Sequence, residues 1–285
     1  MNPIAIPAVL LGSTGRRVTR VGLGGEGVLR TNGRGAEAME VIRAAIDAGI
    51  GYFDCARVYA DSELYYGSVW GADPAARQRV FQASKSAVRG KAGALAELDQ
   101  TLKRLQTDYL DLWQIHDIRT PEDLEMIGGP GGALEAFVEA KASGRVRCIG
   151  VTGHRQPEIL TRAVEDWPVD AVMMPVNPVE GVLGGFLTST LPAARRKGIA
   201  VIGMKVLGAS HYLKPQFGLT ADHLIRYALA QDITLAIVGC SCPVEVRILA
   251  EAGRDPEPLS AEGQNHLHEL FRPYARKLAY YRGVM

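Results

Sequence analysis

The chain has 285 residues, 47% of them hydrophobic and 22% charged, which is enough to bury a sizeable core. Lysine and arginine total 32 against 31 acidic residues, so a net charge of +1 offers no bulk field for nucleic acid or an anionic membrane. Four cysteines are too few for a disulfide scaffold; with neither a signal peptide nor an ~18-residue membrane span legible, a cytoplasmic globular protein is expected.

In chain order, Ser13, Thr14 and Gly15 supply a turn between alternating flanks, an N-terminal β-hairpin able to plug one mouth of a barrel. Short β-branched runs then predict strands at 21–25, 51–56, 80–86, 109–116, 146–152, 171–176, 200–205 and 235–239. Between them, helical periodicity predicts helices at 37–48, 62–70, 92–105, 133–142, 158–165, 191–197, 221–230 and 244–252. An extra amphipathic helix is expected at 261–274. Gly49, Gly144, Gly198 and Gly253 follow helical stretches, where a left-handed cap favours glycine. Eight strand–helix units make a (β/α)8 TIM barrel of the α/β class, read as one domain over residues 1–285.

Gly22, Gly24 and Gly27 spell a dinucleotide fingerprint in letters, but no helix follows at the required distance. Two connections are long, 117–132 and 209–220, and both fall on the C-terminal face where binding loops sit. Four glycines in the first of these predict mobility.

The same face collects chemistry. Strand two ends at Asp54 with Tyr59 just beyond it, strand three ends at Lys85, and strand four ends at His116 and Asp117. A phenol with an ordinary pKa of ~10 is a weak acid, and a neighbouring ammonium lowers that value by favouring the phenolate. Asp54 would keep Lys85 charged and in place, while His116 orients a carbonyl oxygen. These four groups include no redox centre, so a bound cofactor must supply one.

Asp54, Tyr59, Lys85 and His116 resemble the catalytic tetrad of the aldo-keto reductases in order, spacing and strand position. Further resemblance lies in the segments TGRRVTRVGLGG, AIDAGIGYFDCARVY, LDQTLKRLQTDYLDLWQIH and GRVRCIGVTGH, in Asn177–Pro178, and in GIAVIGMKVLG. The resemblance implies hydride transfer from NADPH or NADH to an aldehyde or ketone, or the reverse, with Tyr59 as general acid/base. It places the nucleotide across strands five to eight, against Thr152, Gly153, Met173, Met204, Lys205, Leu207, Gly239, Ser241, Glu245 and Arg247. Several of these depart from the family pattern. Thr152–Gly153 stands for a serine–asparagine pair, Met173 for a glutamine and Met204 for a stacking aromatic. Gly239 and Glu245 fall near the places of a lysine and an arginine that face a 2′-phosphate, with Arg247 two residues on. These departures leave open NADH against NADPH.

Among other features, Cys240 and Cys242 lack the second pair a structural zinc needs, and no metal is expected. His154 is placed at the active rim, and Arg57 and Asp61 beside Tyr59. Tyr65, Tyr66, Trp70 and Trp113 are assigned to packing, and His266 and His268 to a solvated face. The expected partner is a small carbonyl substrate. The alternative reading is a nucleotide-binding regulatory or interaction subunit with little turnover.

Overall fold

A computed structural model describes residues 5–255 and 257–283. Strands β1 (Ala8–Leu10) and β2 (Arg17–Thr19) form the antiparallel hairpin. Eight parallel strands follow: β3 (Val21–Gly27), β4 (Tyr52–Asp54), β5 (Phe81–Ser86), β6 (Leu110–Ile115), β7 (Val146–Thr152), β8 (Ala171–Pro175), β9 (Ala200–Met204) and β10 (Leu235–Cys240). They close into one barrel in sequence order, with β10 pairing β3. The (β/α)8 expectation holds.

Alternation along each strand divides the core in two. Inward residues such as Tyr52, Phe81, Leu112 and Ile202 fill the barrel, and the hairpin's Leu11 and Val18 join the same cluster. The hairpin thus seals the N-terminal mouth, and its Gly12 is forced by contact: a Cβ there would sit 2.4 Å from the Gly198 carbonyl oxygen. Outward residues pack under the helices. Trp113 of β6, for example, stacks on Phe137 of helix Ala133–Ala142.

All eight expected crossover helices are present, and the C-terminal extra helix spans Ala261–Phe271. Gly49, Gly144 and Gly198 take the left-handed conformation, with φ of 83°, 78° and 66°. Gly253 does not. It lies inside helix Pro243–Arg254, where a Cβ would strike Val21 at 2.4 Å, so close helix–strand packing is its reason. Three short proline-led helices were not anticipated, Pro74–Arg79, Pro121–Gly128 and Pro178–Leu183, nor was the single turn Ala275–Leu278. The second corrects the expectation of a free, mobile 117–132 loop. Gly131 accepts from the Lys91 amide at 2.8 Å and Gly90 bridges Gly132, which ties that segment to the start of helix Lys91–Arg104. No helix among the described residues is long and apolar enough to cross a membrane.

The chain end returns to the C-terminal face. Tyr281 donates to Glu180 at 2.8 Å, and Arg282 pairs with the same carboxylate. Asn177 caps helix Pro178–Leu183 and also donates to the Lys205 carbonyl at 3.1 Å, which fixes the β9 exit.

Candidate active site

Asp54 and Lys85 end neighbouring strands and point into the barrel, each 1% exposed. Lys85 Nζ donates to Asp54 Oδ2 at 2.5 Å and to the Cys55 carbonyl at 2.8 Å. Two of its three protons are thereby fixed. The ammonium lies 5.0 Å from the centre of the Tyr59 ring. Tyr59 reaches this position through a turn closed by its amide on the Ala56 carbonyl, followed by Ala60 at φ 47°. His116 meets the Tyr59 ring edge-on, with centroids 5.5 Å apart. Its own backbone is held by donation to Ser86 at 2.8 Å. No described residue hydrogen-bonds the Tyr59 hydroxyl or the His116 imidazole, and both face the cavity.

Gly25 of β3 makes room for this arrangement. A Cβ there would lie 2.7 Å from Tyr59 Cδ2, in the ring itself. Gly25→Ala is therefore expected to displace the phenol by a fraction of an ångström and lower kcat by up to ~10²-fold, the usual penalty for misplacing a reacting group by ~1 Å. Circular dichroism and unfolding should change little. A variant with full kcat would show that the ring position is immaterial.

Burial raises the Tyr59 phenol above its ordinary value; Lys85 opposes this, while Asp54 and Glu26 add to it. The expectation of a lowered phenol is corrected here, because desolvation outweighs an ammonium already neutralised by Asp54. Burial works against the Lys85 charge, yet Asp54 and Tyr59 raise its pKa on balance. His116 is held well below the ordinary imidazole value by burial and then by Lys85, so it stands neutral.

The four groups sit where two compartments meet, of about 530 Å3 and about 510 Å3. Both share Glu26, Arg30, Tyr59, Met173, Met204 and Lys205 as walls. The larger runs along β3, β9 and β10, and includes Leu207, Gly239, Ser241 and Glu245. The smaller holds Lys85, His116, Asp117, Thr152 and His154. Gly153 and Arg247 line neither: the Gly153 Cα faces Ile118 and Leu160, and Arg247 is on the solvent side of its helix. Thr152 is a support. Its Oγ1 accepts from the Asp117 amide at 2.8 Å and steadies a residue at φ 53°. His154 bridges Asp117 Oδ1 at 3.1 Å and the Tyr281 carbonyl at 2.9 Å. Arg57 and Asp61 turn away to Gln100 and the Gly33 amide. His268, expected in solvent, instead contacts Tyr227 Oη at 2.7 Å.

Sequence reasoning missed Glu26 and Arg30. Arg30 places its guanidinium carbon 4.7 Å from the Tyr59 ring centre, so the phenol lies between two cations, and Glu26 holds Arg30 at 2.7 Å. The signal was available, since Glu26 lies at the C-terminal end of β3 and Arg30 in the turn just beyond it, on the active rim. Tyr280, which also lines the larger compartment, gave none.

Residues 20–217 match the aldo/keto reductase family. The chain belongs to that family. As an aldo/keto reductase, it is 29% identical over 233 residues to 6-dehydroglucose reductase of Novosphingobium aromaticivorans, covering 75% of this chain and 74% of that protein. It is 31% identical to aldo-keto reductase YhdN of Bacillus subtilis over 67% of this chain and 59% of that protein. It is also 30% identical to L-galactose dehydrogenase of Arabidopsis thaliana over 69% and 64%. An aldo-keto reductase from Klebsiella pneumoniae, solved in complex with NADPH, shares the fold at 22% identity with a TM-score of 0.75, covering 95% of this chain and 96% of the other. The holo form of an aldo-keto reductase from Bacillus halodurans superposes with a TM-score of 0.77 at 22% identity, covering 94% and 96%.

Proposed function

We propose that this aldo/keto reductase is an oxidoreductase that interconverts a small carbonyl compound and its alcohol with a nicotinamide nucleotide, Tyr59 being the general acid/base. The observation that carries the reading is the convergence of Asp54, Tyr59, Lys85 and His116 at the junction of two compartments. One is walled by residues of β3, β9 and β10 and the other carries charged and polar side chains. The nucleotide fits the larger compartment on its chemistry. Met173 and Met204 give a flat apolar wall beside Tyr59, Arg30 and Lys205 supply positive charge, and Ile248 and Leu249 supply apolar surface at the β10 end. When bound, it supplies the hydride.

The protein's own residues then manage the oxygen. The free Tyr59 hydroxyl and the neutral His116 ring can both hydrogen-bond a carbonyl oxygen, and the phenol passes its proton to the developing alkoxide. Lys85, charged and fixed by Asp54, and Arg30 across the ring stabilise the phenolate left behind. In oxidation the same phenolate takes the proton back.

The smaller compartment points to a polar substrate. Arg89, Arg119, Asp117, Asp123 and His154 line it, with few apolar side chains between them. Two relatives are named for sugar substrates, which agrees with a polyhydroxylated aldehyde or ketone. The test is loss of reduced-nicotinamide absorbance with a panel of aldoses, ketoses and aromatic aldehydes. Polyhydroxylated compounds should show the higher kcat/KM. Tight nucleotide binding with no turnover of any carbonyl would replace this reading with that of a binding subunit.

A further inference from the structure

We infer that Glu245 makes this chain select NADH over NADPH, an inference that rests on the proposed nicotinamide chemistry. Hydride transfer requires the nicotinamide at Tyr59 and His116, which carries the adenosine end to the opposite part of the larger compartment. That end is the exit of β10 and the first two turns of helix Pro243–Arg254, where Ser241, Glu245, Ile248 and Leu249 line the wall and take no part in the smaller compartment.

At this end the charge is negative. Glu245 Oε2 accepts from the Ser241 amide at 2.6 Å, and Glu245 forms no ion pair among the described residues. The donor that would otherwise greet a phosphate oxygen is therefore taken by a carboxylate of the chain itself. The cations that line this compartment, Arg30 and Lys205, sit on the shared wall with Glu26 between them at 2.7 Å and 3.8 Å. Three carboxylates (Glu26, Asp54, Glu245) thus face two cations along the compartment. Arg247, two residues on, is exposed and lines neither compartment.

A fixed carboxylate with a free second oxygen accepts a hydrogen bond from a ribose 2′-hydroxyl, as acidic residues do in other NAD sites. A 2′-phosphate in the same place meets like charge at short range and finds the Ser241 amide already taken, and no cation among the residues lining that end offsets it.

Equilibrium titrations that follow reduced-nicotinamide fluorescence, with no substrate present, read this directly. Wild-type protein should bind NADH at least ~10-fold more tightly than NADPH. In competition, 5′-AMP should displace NADH at lower concentration than 2′,5′-ADP, which confines the effect to the ribose. Glu245→Gln keeps the acceptor for the Ser241 amide and removes the charge, so NADPH binding should rise and the ratio shrink by ~5-fold or more. Ser241→Arg should shift the ratio the same way. Equal or tighter binding of NADPH by the wild type, or a ratio unmoved in both variants, overturns the inference and leaves the oxidoreductase reading standing. Binding of neither nucleotide overturns both.

Discussion

Tyr59→Phe is expected to lower kcat for carbonyl reduction by ~10²–10⁴-fold, the usual contribution of a positioned general acid. Binding of the reduced nucleotide should be unchanged, because only a hydroxyl that contacts no described residue is removed. The ring keeps its place between Lys85 and Arg30. The pH dependence carries a second, independent reading. Reduction needs the protonated phenol, and burial holds the Tyr59 pKa above its ordinary value. The rate plateau should therefore extend through neutral pH and fall only above pH ~10, where an unperturbed tyrosine titrates. His116 adds no limb near its ordinary pKa of ~6.5, because burial and Lys85 keep the ring neutral well below that value. Stopped-flow single turnovers across this range separate chemistry from product release. A variant with wild-type kcat would remove Tyr59 from the acid role. An alkaline limb below the ordinary tyrosine value would show that the charge of Lys85, not burial, governs the phenol.

The barrel could be read from the sequence because its strands are apolar on both faces and its long helices run for several periods. The short helices could not be read by periodicity, since six to eight residues give about two turns. Their caps were nevertheless written in the chain. Asp73, Thr120 and Asn177 each precede a proline at the first helical position, and each side chain accepts from an amide three residues on. In the 117–132 segment the glycine cluster outweighed that signal, and the structure shows the cap and proline prevailing. The clustering of Asp54, Tyr59, Lys85 and His116 was legible because strand ends on one rim must share a mouth. The docked chain end was not, since Tyr281 meets Glu180 across 101 residues and no local pattern reports such a pairing. The sign of the Tyr59 shift was also hidden. The residue types reveal a neighbouring cation, but only packing reveals how completely the phenol is desolvated.

Lys85→Met is expected to be the most damaging change to stability, by about 3–5 kcal/mol near neutral pH, the usual effect of removing one partner from a buried ion pair. Methionine nearly preserves the volume, so the loss is electrostatic. Asp54 Oδ1 already lacks a hydrogen-bond partner among the described residues, and the substitution strips Oδ2 of its only ammonium. Burial already raises the Asp54 carboxyl against the opposing pull of Lys85, and without the lysine it acts unopposed by that charge. A carboxyl with a raised folded pKa holds its proton more tightly in the folded chain than in the unfolded one. Its contribution is then fully present below the ordinary value of ~3.9 and is lost as pH rises through the folded value. The wild-type lysine behaves differently: its raised pKa stabilises the fold at all pH below about 10 and is lost only as pH climbs through the folded value. The stability gap between the two proteins should therefore widen from about pH 4 to about pH 7 in urea denaturation. Asp54→Asn/Lys85→Met should recover much of the loss, because a neutral pair in the same space leaves no charge uncompensated. A gap that is constant with pH, or a double variant no more stable than Lys85→Met alone, would mean that shape rather than charge holds the Asp54–Lys85 pair in place.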